Sequence, residues 1–303
     1  MRAAPALVHL DLVAAVTAVT DPHPRVLTLA DGAQLPSGAL DPTERSLQSA
    51  MGRQVQALTG LTVGYAEQLY TFTDRGQPLD QPGHISIGYM GLAREQAHLL
   101  QPHAQWQSWY AYFPWEDRRK GPAASLEVFV RHLRIWADSE PALQAVRRER
   151  LTVAFGLEGV AWNEELILQR YELLYEAGLV PEAPGYAGPA DEAITGRPMR
   201  YDHRRVLATG IARIRAKVKY RPVIFELLPD TFTLLQLQQT VEALAGRSLH
   251  KPNFRRLIAQ QDLIEETAET VVPPRGRPAR LYRFRPQVLT ERAAMGSSLP
   301  RTR

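Results

Sequence analysis

The sequence contains no cysteine, and this absence excludes several kinds of site. Disulfide bonds, thiolate zinc sites and a cysteine nucleophile are impossible, and the absence suits a reducing compartment such as the cytoplasm. No stretch approaches the roughly 20 apolar residues that a membrane-spanning helix requires. Near the N-terminus Asp11 interrupts a short apolar run, and the alternation around it favours a strand over a signal peptide. We therefore expect a soluble cytoplasmic protein without a membrane partner.

Acidic residues are scarce in the last third of the chain. Residues 203–303 contain 19 Lys and Arg against 8 Asp and Glu, a net charge of +11, whereas residues 1–202 carry a net charge of −7. With 303 residues the chain is long enough for two domains. The charge asymmetry favours two parts with different partners, although a solvated basic surface would give the same pattern.

The first 115 residues show the alternation of apolar and polar residues that is typical of strands. The predicted strands cover residues 8–19, 25–29, 65–73, 84–92 and 105–114. A helix is predicted over 41–58, because Asp41 and Pro42 have the residue types of an N-cap and a first helical position. Gly60 follows the last apolar residue of this helix and is expected to end it.

From residue 125 onward the apolar residues recur at helical spacing. This spacing predicts helices over 126–136, 140–151 and 163–177. The stretch 178–198, rich in Gly, Pro and Ala, is the best linker candidate in the chain. Asp202 and His203 follow it; they are read either as a metal or catalytic pair or as a helix N-cap followed by a surface histidine, which is the favoured reading.

The C-terminal part has the pattern of a helix-turn-helix. A basic helix is predicted over 204–219, followed by a second helix over 234–244 that begins after the N-cap Thr233 and ends before Gly246. A short connection leads to a third helix over 252–261, whose apolar side is Phe254, Leu257 and Ile258. Two short helices joined by a turn that contains glycine are typical of DNA-reading proteins.

Polar and basic residues at the start of the last helix, and in the hairpin that follows it, supply the chemistry for DNA. Arg can bind guanine, Asn can bind adenine, and Lys can neutralise phosphate. The helix carries Lys251, Asn253, Arg255 and Arg256, and the hairpin loop between the predicted strands 263–264 and 281–285 carries Arg275, Arg277 and Arg280. A basic hairpin tip suits the role of a wing on phosphates or in a minor groove, with a solvated turn as the alternative.

The segment from Leu35 to Leu61 resembles the Nudix box, G-x5-E-x7-R-E-U-x-E-E-x-G-U, where U is a bulky apolar residue. Gly38, Glu44, Arg53 and Gly60 match its Gly, first Glu, Arg and last Gly. The glutamates of that motif hold divalent cations for pyrophosphate cleavage. The alternative interpretation is that these residues form an ordinary loop and helix end and match the motif by coincidence.

The segment differs from the motif at the positions of the metal-binding glutamates. Gln54 stands in the place of the first helix glutamate, and Ala57 and Leu58 stand in the places of the paired glutamates. Eight residues rather than seven separate Glu44 from Arg53. An amide, a methyl and an isobutyl group cannot form the oxygen-rich site that magnesium needs. We therefore expect no catalytic residues, no metal site and no enzyme activity of the usual Nudix kind.

The runs FELLP, FTLLQLQ, NFRR and GRPARLYRF closely resemble the winged-helix domain of Nudix-related transcriptional regulators of NAD metabolism, of the NadQ and NrtR type. The resemblance implies an α+β protein with a degenerate Nudix-like α/β/α sandwich, a helical linker region and a C-terminal winged helix-turn-helix. The expected ranges are 1–160 for the ligand-sensing domain, 161–202 for the helical linker segment, 203–290 for the DNA-binding domain and 291–303 for a flexible tail.

The same resemblance implies a function. It implies a repressor of NAD biosynthesis or salvage genes that binds a palindromic operator in double-stranded DNA as a homodimer. An effector such as NAD, ADP-ribose or ATP is expected to shift the spacing of the two recognition helices, and no cofactor is required. The basic and amide residues named above on the last helix and in the hairpin loop are the residues to which the family's DNA-binding role carries over.

Ligand-contacting residues carry over poorly because the box has changed. Arg53 is a candidate for a phosphate contact, or it fixes a carboxylate such as Glu44. Trp106 and Trp109 lie in an aromatic run and are candidates to stack on an adenine, although strand aromatics more often fill a core. Two other functions remain open: an active pyrophosphohydrolase that uses Glu44 and Glu67, and a winged-helix adaptor for protein or RNA.

Overall fold

The computed structural model describes residues 8–73, 83–94, 99, 101–220, 223–272 and 278–286. Within these ranges, no helix is both long and apolar enough to cross a membrane. The predicted tail 291–303 lies outside the described residues.

A mixed sheet forms the centre of the N-terminal part. Its strands are β1 (Val8–Thr20), β2 (His23–Thr28), β3 (Ser37–Ala39), β4 (Tyr65–Thr73), β5 (Gly83–Leu92) and β6 (Gln105–Ser108). The order is β4-β5-β1-β2-β6, and β3 also pairs with β1. β1 and β5 are parallel, whereas the other pairs are antiparallel. The strands predicted over 8–19, 25–29, 65–73 and 84–92 are confirmed with small shifts at their ends.

Helices cover both faces of this sheet. They are α1 (Leu47–Thr59), α2 (Trp109–Tyr112), α3 (Ala124–Asp138), α4 (Gln144–Phe155), α5 (Ile167–Glu176), α6 (Glu192–Thr195) and α7 (His203–Tyr220). Side chains of a strand alternate between its two faces. On β1, Leu12 and Ala14 belong to the core under α1, while Val13 and Ala15 belong to the larger core that contains α3, α5 and α7. The predicted α/β/α sandwich is thereby confirmed.

Helix α1 begins later than the predicted 41–58. Ser46 is its N-cap, and the Ser46 hydroxyl accepts a hydrogen bond from the Ser49 backbone N–H. Asp41 instead forms a local turn in which its carboxylate accepts from the backbone N–H and the hydroxyl of Thr43. Asp41 and Ser46 are both favourable N-cap residues, and the helix begins after Ser46. Gly60, with φ of 78°, ends α1 as predicted.

The strand predicted over 105–114 is wrong beyond Ser108. The Ser108 hydroxyl caps the short helix α2, and a 3₁₀ turn, Pro114–Glu116, follows. Trp109, Tyr112, Phe113 and Trp115 are buried in the core on the α7 side of the sheet. Aromatic residues favour strands only because they pack well on a half-buried surface, and here complete burial is achieved by helical turns.

The stretch 178–198, the linker candidate of the sequence, has both exposed and buried residues. Leu179, Val180 and Ala183 are buried in the core. The Glu182 carboxylate accepts a hydrogen bond from the Met199 backbone N–H at 3.0 Å and pairs with Arg204 at 3.1 Å. This stretch, which includes the short helix α6, is therefore held to the core at several points.

The C-terminal unit follows α7. It consists of a 3₁₀ turn, Val223–Leu227, the helices α8 (Leu234–Ala245) and α9 (Lys251–Gln261), and the antiparallel hairpin of β7 (Ile264–Val271) and β8 (Ala279–Phe284). Helix α7 was grouped with this unit in the predicted range 203–290. Its buried residues, such as Val206, Leu207 and Ile211, instead pack with the sheet and α5. We propose a domain boundary after α7 for this reason.

Candidate functional site

The helix-turn-helix has well-formed helix ends. Thr233 and Gln236 make a capping box at the start of α8: the Thr233 hydroxyl accepts from the Gln236 N–H at 3.1 Å, and the Gln236 side chain accepts from the Thr233 N–H at 2.8 Å. Gly246, with φ of 69°, ends α8 in the left-handed region. Pro252 occupies the first turn of α9. The predicted helix, turn and helix are confirmed.

Helix α9 presents its polar residues to solvent. Phe254 is the buried residue of this helix, and Ile258 is half-buried. Leu257, predicted on the apolar side, is 49% exposed, so that prediction is wrong. The helix therefore contacts the body of the protein along a narrow strip. The predicted DNA contacts are all exposed on it: Lys251, Asn253, Arg255 and Arg256.

The hairpin after α9 balances its basic residues with acids. Arg280 forms an ion pair with Glu266 across the β7–β8 pair. Arg283 pairs with Glu265 at 2.6 Å. Because each guanidinium has a carboxylate beside it, these two strand arginines are weaker candidates for phosphate contacts than the residues of α9. The predicted contacts Arg275 and Arg277 lie outside the described residues.

Much of the positive charge of the last third is used inside the chain. Among the described residues, the pairs that join it to acids of residues 1–202 are Arg204–Glu182, Arg205–Glu172, Arg205–Asp202, Arg213–Glu67, Arg215–Glu116, Lys217–Glu67 and Arg247–Glu164. The charge asymmetry of the sequence therefore reflects, in part, two complementary halves of one structure. The case for a DNA interface depends on the exposed face of α9 and not on the net charge.

The box residues lie on the α1 face of the sheet. The Arg53 guanidinium holds Glu44 through two contacts, one of them an Nε–Oε1 distance of 3.0 Å. The Gln54 amide donates to the Leu12 carbonyl oxygen at 3.4 Å, and a Cβ at Gly38 would lie 2.9 Å from the same amide nitrogen. Arg53 thus fixes a loop carboxylate, as the second of its two readings expected.

Two carboxylates that an active hydrolase was expected to use do not lie together. Glu67 faces α7, where it accepts from the Tyr65 hydroxyl at 2.6 Å and pairs with Lys217 at 2.6 Å. Burial by itself raises the pKa of Glu67, but the hydrogen bonds and charge of these partners hold that pKa below its ordinary value. Glu44 pairs with α1 on the other face. Among the described residues, no group of three or more His, Asp and Glu is arranged to hold a metal ion.

The two candidate tryptophans lie on opposite faces of the sheet. Trp106, on β6 opposite Leu27 of β2, packs against the core under α1. Trp109 is 1% exposed and belongs to the core under α7. Trp109 is therefore a core residue, which was the alternative interpretation of the aromatic run. Trp106 stays a candidate on the same side of the sheet as Arg53.

Asp202 and His203 do not form a metal or catalytic pair. His203 is buried, and its Nδ1 accepts a hydrogen bond from the Leu35 backbone N–H at 3.0 Å. Burial lowers the pKa of His203 to about 4, so the ring is neutral. Asp202 pairs with Arg205 instead. The expected surface histidine is wrong because His203 lies on the buried side of α7.

Contacts between the two units were not anticipated from the sequence. The Tyr110 hydroxyl donates to the Ala243 carbonyl oxygen at 2.7 Å, the Arg118 N–H donates to the Gly246 carbonyl oxygen at 2.7 Å, and the Ser248 hydroxyl donates to the Arg119 carbonyl oxygen at 2.8 Å. These partners are more than 120 positions apart in the chain, and no local pattern marks them. The helix-turn-helix therefore packs against the segment 109–119 of the N-terminal part.

Residues 224–284 match the model of the NrtR DNA-binding winged helix domain. The matched range begins in the 3₁₀ turn after α7 and ends with β8. It contains α8, the connecting turn and α9. The C-terminal unit is an NrtR winged helix. The family resemblance inferred from the sequence is thereby confirmed for this unit, and the four exposed residues of α9 lie within it.

A relative from Acinetobacter baylyi is the ADPR responsive transcriptional repressor NtrR, with 36% identity over 86 residues. The match covers 28% of this chain and 34% of the relative, so it spans about a third of that repressor's length.

The fold of the chain is similar to that of two solved structures. Shewanella oneidensis NrtR in complex with a 27mer DNA gives a TM-score of 0.56 at 20% identity, covering 93% of this chain and 95% of that one. A MutT/nudix family protein from Enterococcus faecalis gives 0.51 at 14% identity, covering 91% and 86%. At these identities the likeness concerns the fold: a Nudix-like domain followed by an NrtR winged helix.

Proposed function

We propose that this protein is a ligand-responsive transcriptional repressor that binds operator DNA of NAD biosynthesis or salvage genes. The observation that carries the proposal is the exposed polar face at the start of α9 in an NrtR winged helix. Lys251, Asn253, Arg255 and Arg256 are the residue types that read base edges and phosphates. The protein acts in the cytoplasm in this proposal.

The repressor binds as a homodimer in this proposal. A winged helix reads only a few base pairs, and two copies related by a twofold axis read two half-sites of a palindrome. The recognition helices then lie about 34 Å apart or a multiple of that distance. A change of a few ångströms in the spacing of the two α9 helices is enough to weaken binding.

The effector in this proposal is an NAD-related or adenine nucleotide on the α1 face of the Nudix-like sheet. ADP-ribose is the first candidate, because the relative from Acinetobacter baylyi is named as ADPR responsive. Arg53 and Trp106 lie on this side and suit a phosphate and a base. Glu44 contacts the Nε and Nη2 groups of Arg53, so a phosphate ligand competes with that carboxylate for the guanidinium. NAD and ATP are the alternatives.

The Nudix-like domain is proposed to be catalytically inactive. Gln54, Ala57 and Leu58 offer no carboxylate at the box positions, Glu44 is held by Arg53, and Glu67 is on the other face of the sheet. Incubation with ADP-ribose or NAD and Mg²⁺ tests this. Turnover at ordinary enzyme rates, above about 1 s⁻¹, would establish the pyrophosphohydrolase instead.

The DNA-binding proposal is tested by footprinting of promoter fragments upstream of NAD genes. The full chain is titrated at two salt concentrations, with and without ADP-ribose, NAD or ATP. We expect protection of a palindromic site that weakens at higher salt and changes with one of the three nucleotides. Binding that ignores sequence, or that prefers RNA, would favour the adaptor function.

A further inference from the structure

The last turn of α8 ends against the N-terminal domain. The final carbonyl groups of a helix have no donor within the helix and need partners from elsewhere. Here the Ala243 oxygen accepts from the Tyr110 hydroxyl at 2.7 Å, and the Leu244 oxygen accepts from the Arg215 Nε at 2.9 Å. The C-terminal end of the first helix of the helix-turn-helix is therefore capped by the domain that carries the Nudix-like sheet.

A buried charge cluster stands behind this cap. Glu116 accepts two hydrogen bonds from Arg170, at 2.6 and 3.0 Å, and also pairs with Arg215. All three side chains are almost completely buried. Burial by itself raises the pKa of Glu116, but the two guanidinium groups hold that pKa below its ordinary value. The positive charge of Arg215 is thus held in place at the negative end of the α8 dipole.

The turn between α8 and α9 lies directly on the segment 109–119. Gly246 has no room for a side chain, because a Cβ there would overlap the Glu116 carbonyl oxygen and would lie 3.1 Å from the Tyr110 hydroxyl. Ser248, two residues on, donates to the Arg119 carbonyl oxygen at 2.8 Å. Helix α9 begins three residues later, at Lys251. Contacts with this segment therefore help to fix the position of the turn from which α9 starts.

The same segment continues directly from the edge strand β6. Trp106 of β6 faces the core under α1, on the side where the proposed ligand binds, and Tyr110 is four residues further along the chain. Helix α2 begins at the residue after β6 ends, so we expect a ligand that shifts β6 to shift Tyr110 with it. Packed interfaces respond to such movements by switching between arrangements rather than by gradual deformation.

We propose that Tyr110 is a positioning residue, and that its contact with Ala243, together with the contact of Ser248 with Arg119, couples ligand occupancy of the α1 face to the orientation of α9. This inference rests on the proposed function. It assigns the segment 109–119 as the element whose position both the ligand and the DNA bias. In energetic terms the segment carries the coupling between the two binding sites.

The test uses the full chain and the variant Tyr110→Phe, which removes the hydroxyl that donates to Ala243 and keeps the ring beside Arg119. Ser248→Ala removes the second contact, and the double variant removes both. Tyr201→Phe, at an exposed position before the other end of α7, is the matched control. Thermal unfolding of each variant confirms that the fold is retained.

Two quantities are measured: the Kd of the nucleotide alone, and the ratio of the DNA Kd values with and without saturating nucleotide. The DNA is the duplex that the unsubstituted protein protects, and ADP-ribose, NAD and ATP are tested in parallel. We expect nucleotide affinity in Tyr110→Phe to stay within about twofold while the ratio shrinks at least about threefold, and further in the double variant. Tyr201→Phe should keep both values.

An unchanged ratio in the double variant would overturn the inference while leaving the repressor function intact. A loss of nucleotide affinity that accounts for the whole change in the ratio would also overturn it, because the residues would then belong to the ligand site. If the unsubstituted protein shows no nucleotide effect on DNA binding, the proposed function fails and the inference fails with it. The two kinds of failure are distinguishable, because failure of the proposed function is already visible in the unsubstituted protein.

Discussion

The Nε group of Arg215 donates a hydrogen bond of 2.9 Å to the carbonyl oxygen of Leu244, the penultimate residue of α8. Arg215 belongs to a helix that packs on the Nudix-like sheet, and Leu244 belongs to the winged helix. The contact therefore crosses the domain boundary that we propose after α7. Its partner charge, Glu116, lies in the segment that follows the edge strand β6.

Substitution of Glu116 by Gln should destabilise the protein strongly. The change leaves Arg170 and Arg215 buried without their counter-charge, and breaking a buried ion pair in this way costs about 3–5 kcal/mol. Urea unfolding at neutral pH measures the difference. Asp138→Asn removes a solvent-exposed pair with Arg148, where water screens the charges, and should destabilise the protein far less. Equal losses in the two variants would contradict the assigned role of burial.

Stability should fall as the pH is lowered below about 6.5, because His203 is neutral in the folded state. Burial lowers its folded pKa to about 4, whereas in the unfolded chain it takes up a proton near its ordinary value. The unfolded state then binds more protons, and the free energy of unfolding falls by at most about 1.4 kcal/mol per pH unit within this window. Urea unfolding between pH 7 and pH 5 measures the slope.

The variant His203→Gln identifies the source of that slope. Its pH dependence between pH 7 and pH 5 should be smaller than that of the unsubstituted protein. The exposed His103 provides the control, and His103→Gln should keep the full slope. A slope that survives in His203→Gln would show that other groups cause it.

Substitution of Arg256 by Ala tests the recognition surface. If Arg256 contacts a base edge, the operator Kd should rise by the equivalent of about 1–3 kcal/mol, and discrimination between bases at one position should relax. Quantitative footprinting on operators with single base changes measures both effects. Arg148→Ala on α4 removes an exposed arginine of the other domain and should leave operator affinity unchanged. Normal operator binding by Arg256→Ala would mean that the surface is misplaced.

Substitution of Glu266 by Gln should strengthen binding to DNA of unrelated sequence. The change releases Arg280 from its ion pair and leaves a free cation on the hairpin. We expect a steeper dependence of log K on log salt, by about one released ion or less. Glu269→Gln makes the same charge change on β7 without freeing Arg280 and should have the smaller effect. Identical effects of the two substitutions would mean that the pair does not restrain Arg280.

The helix-turn-helix was predictable because its signals are local. Thr233, Gln236 and Gly246 act on groups within a few residues of themselves, so the capping box and the left-handed helix end are written in consecutive letters. The alternation of β1 is local in the same way. The predicted start of α1 was wrong because Asp41 and Ser46 are both good N-cap residue types. The choice between them depends on where the helix packs.

The family resemblance supplied what local patterns do not. The runs NFRR and GRPARLYRF indicate a winged helix of the NrtR type, and Gln54, Ala57 and Leu58 lead to the expectation, still a prediction, of a Nudix-like domain without its acids. Neither of these two sequence signals indicates which domain α7 packs against. That helix is basic in sequence, but its cations pair with Glu67, Glu116, Glu172 and Glu182 of the N-terminal domain.

The sequence by itself indicated four of the strands of the sheet, the helix-turn-helix and the winged-helix family, since these depend on residue types and short spacings. The tertiary structure alone decided that Trp106 and Trp109 lie on opposite faces of the sheet, because the strand ends at Ser108 between them. It alone also joined Tyr110 to Ala243 and Arg215 to Glu116. Such contacts arise only when distant segments are packed together, and no local spacing encodes them.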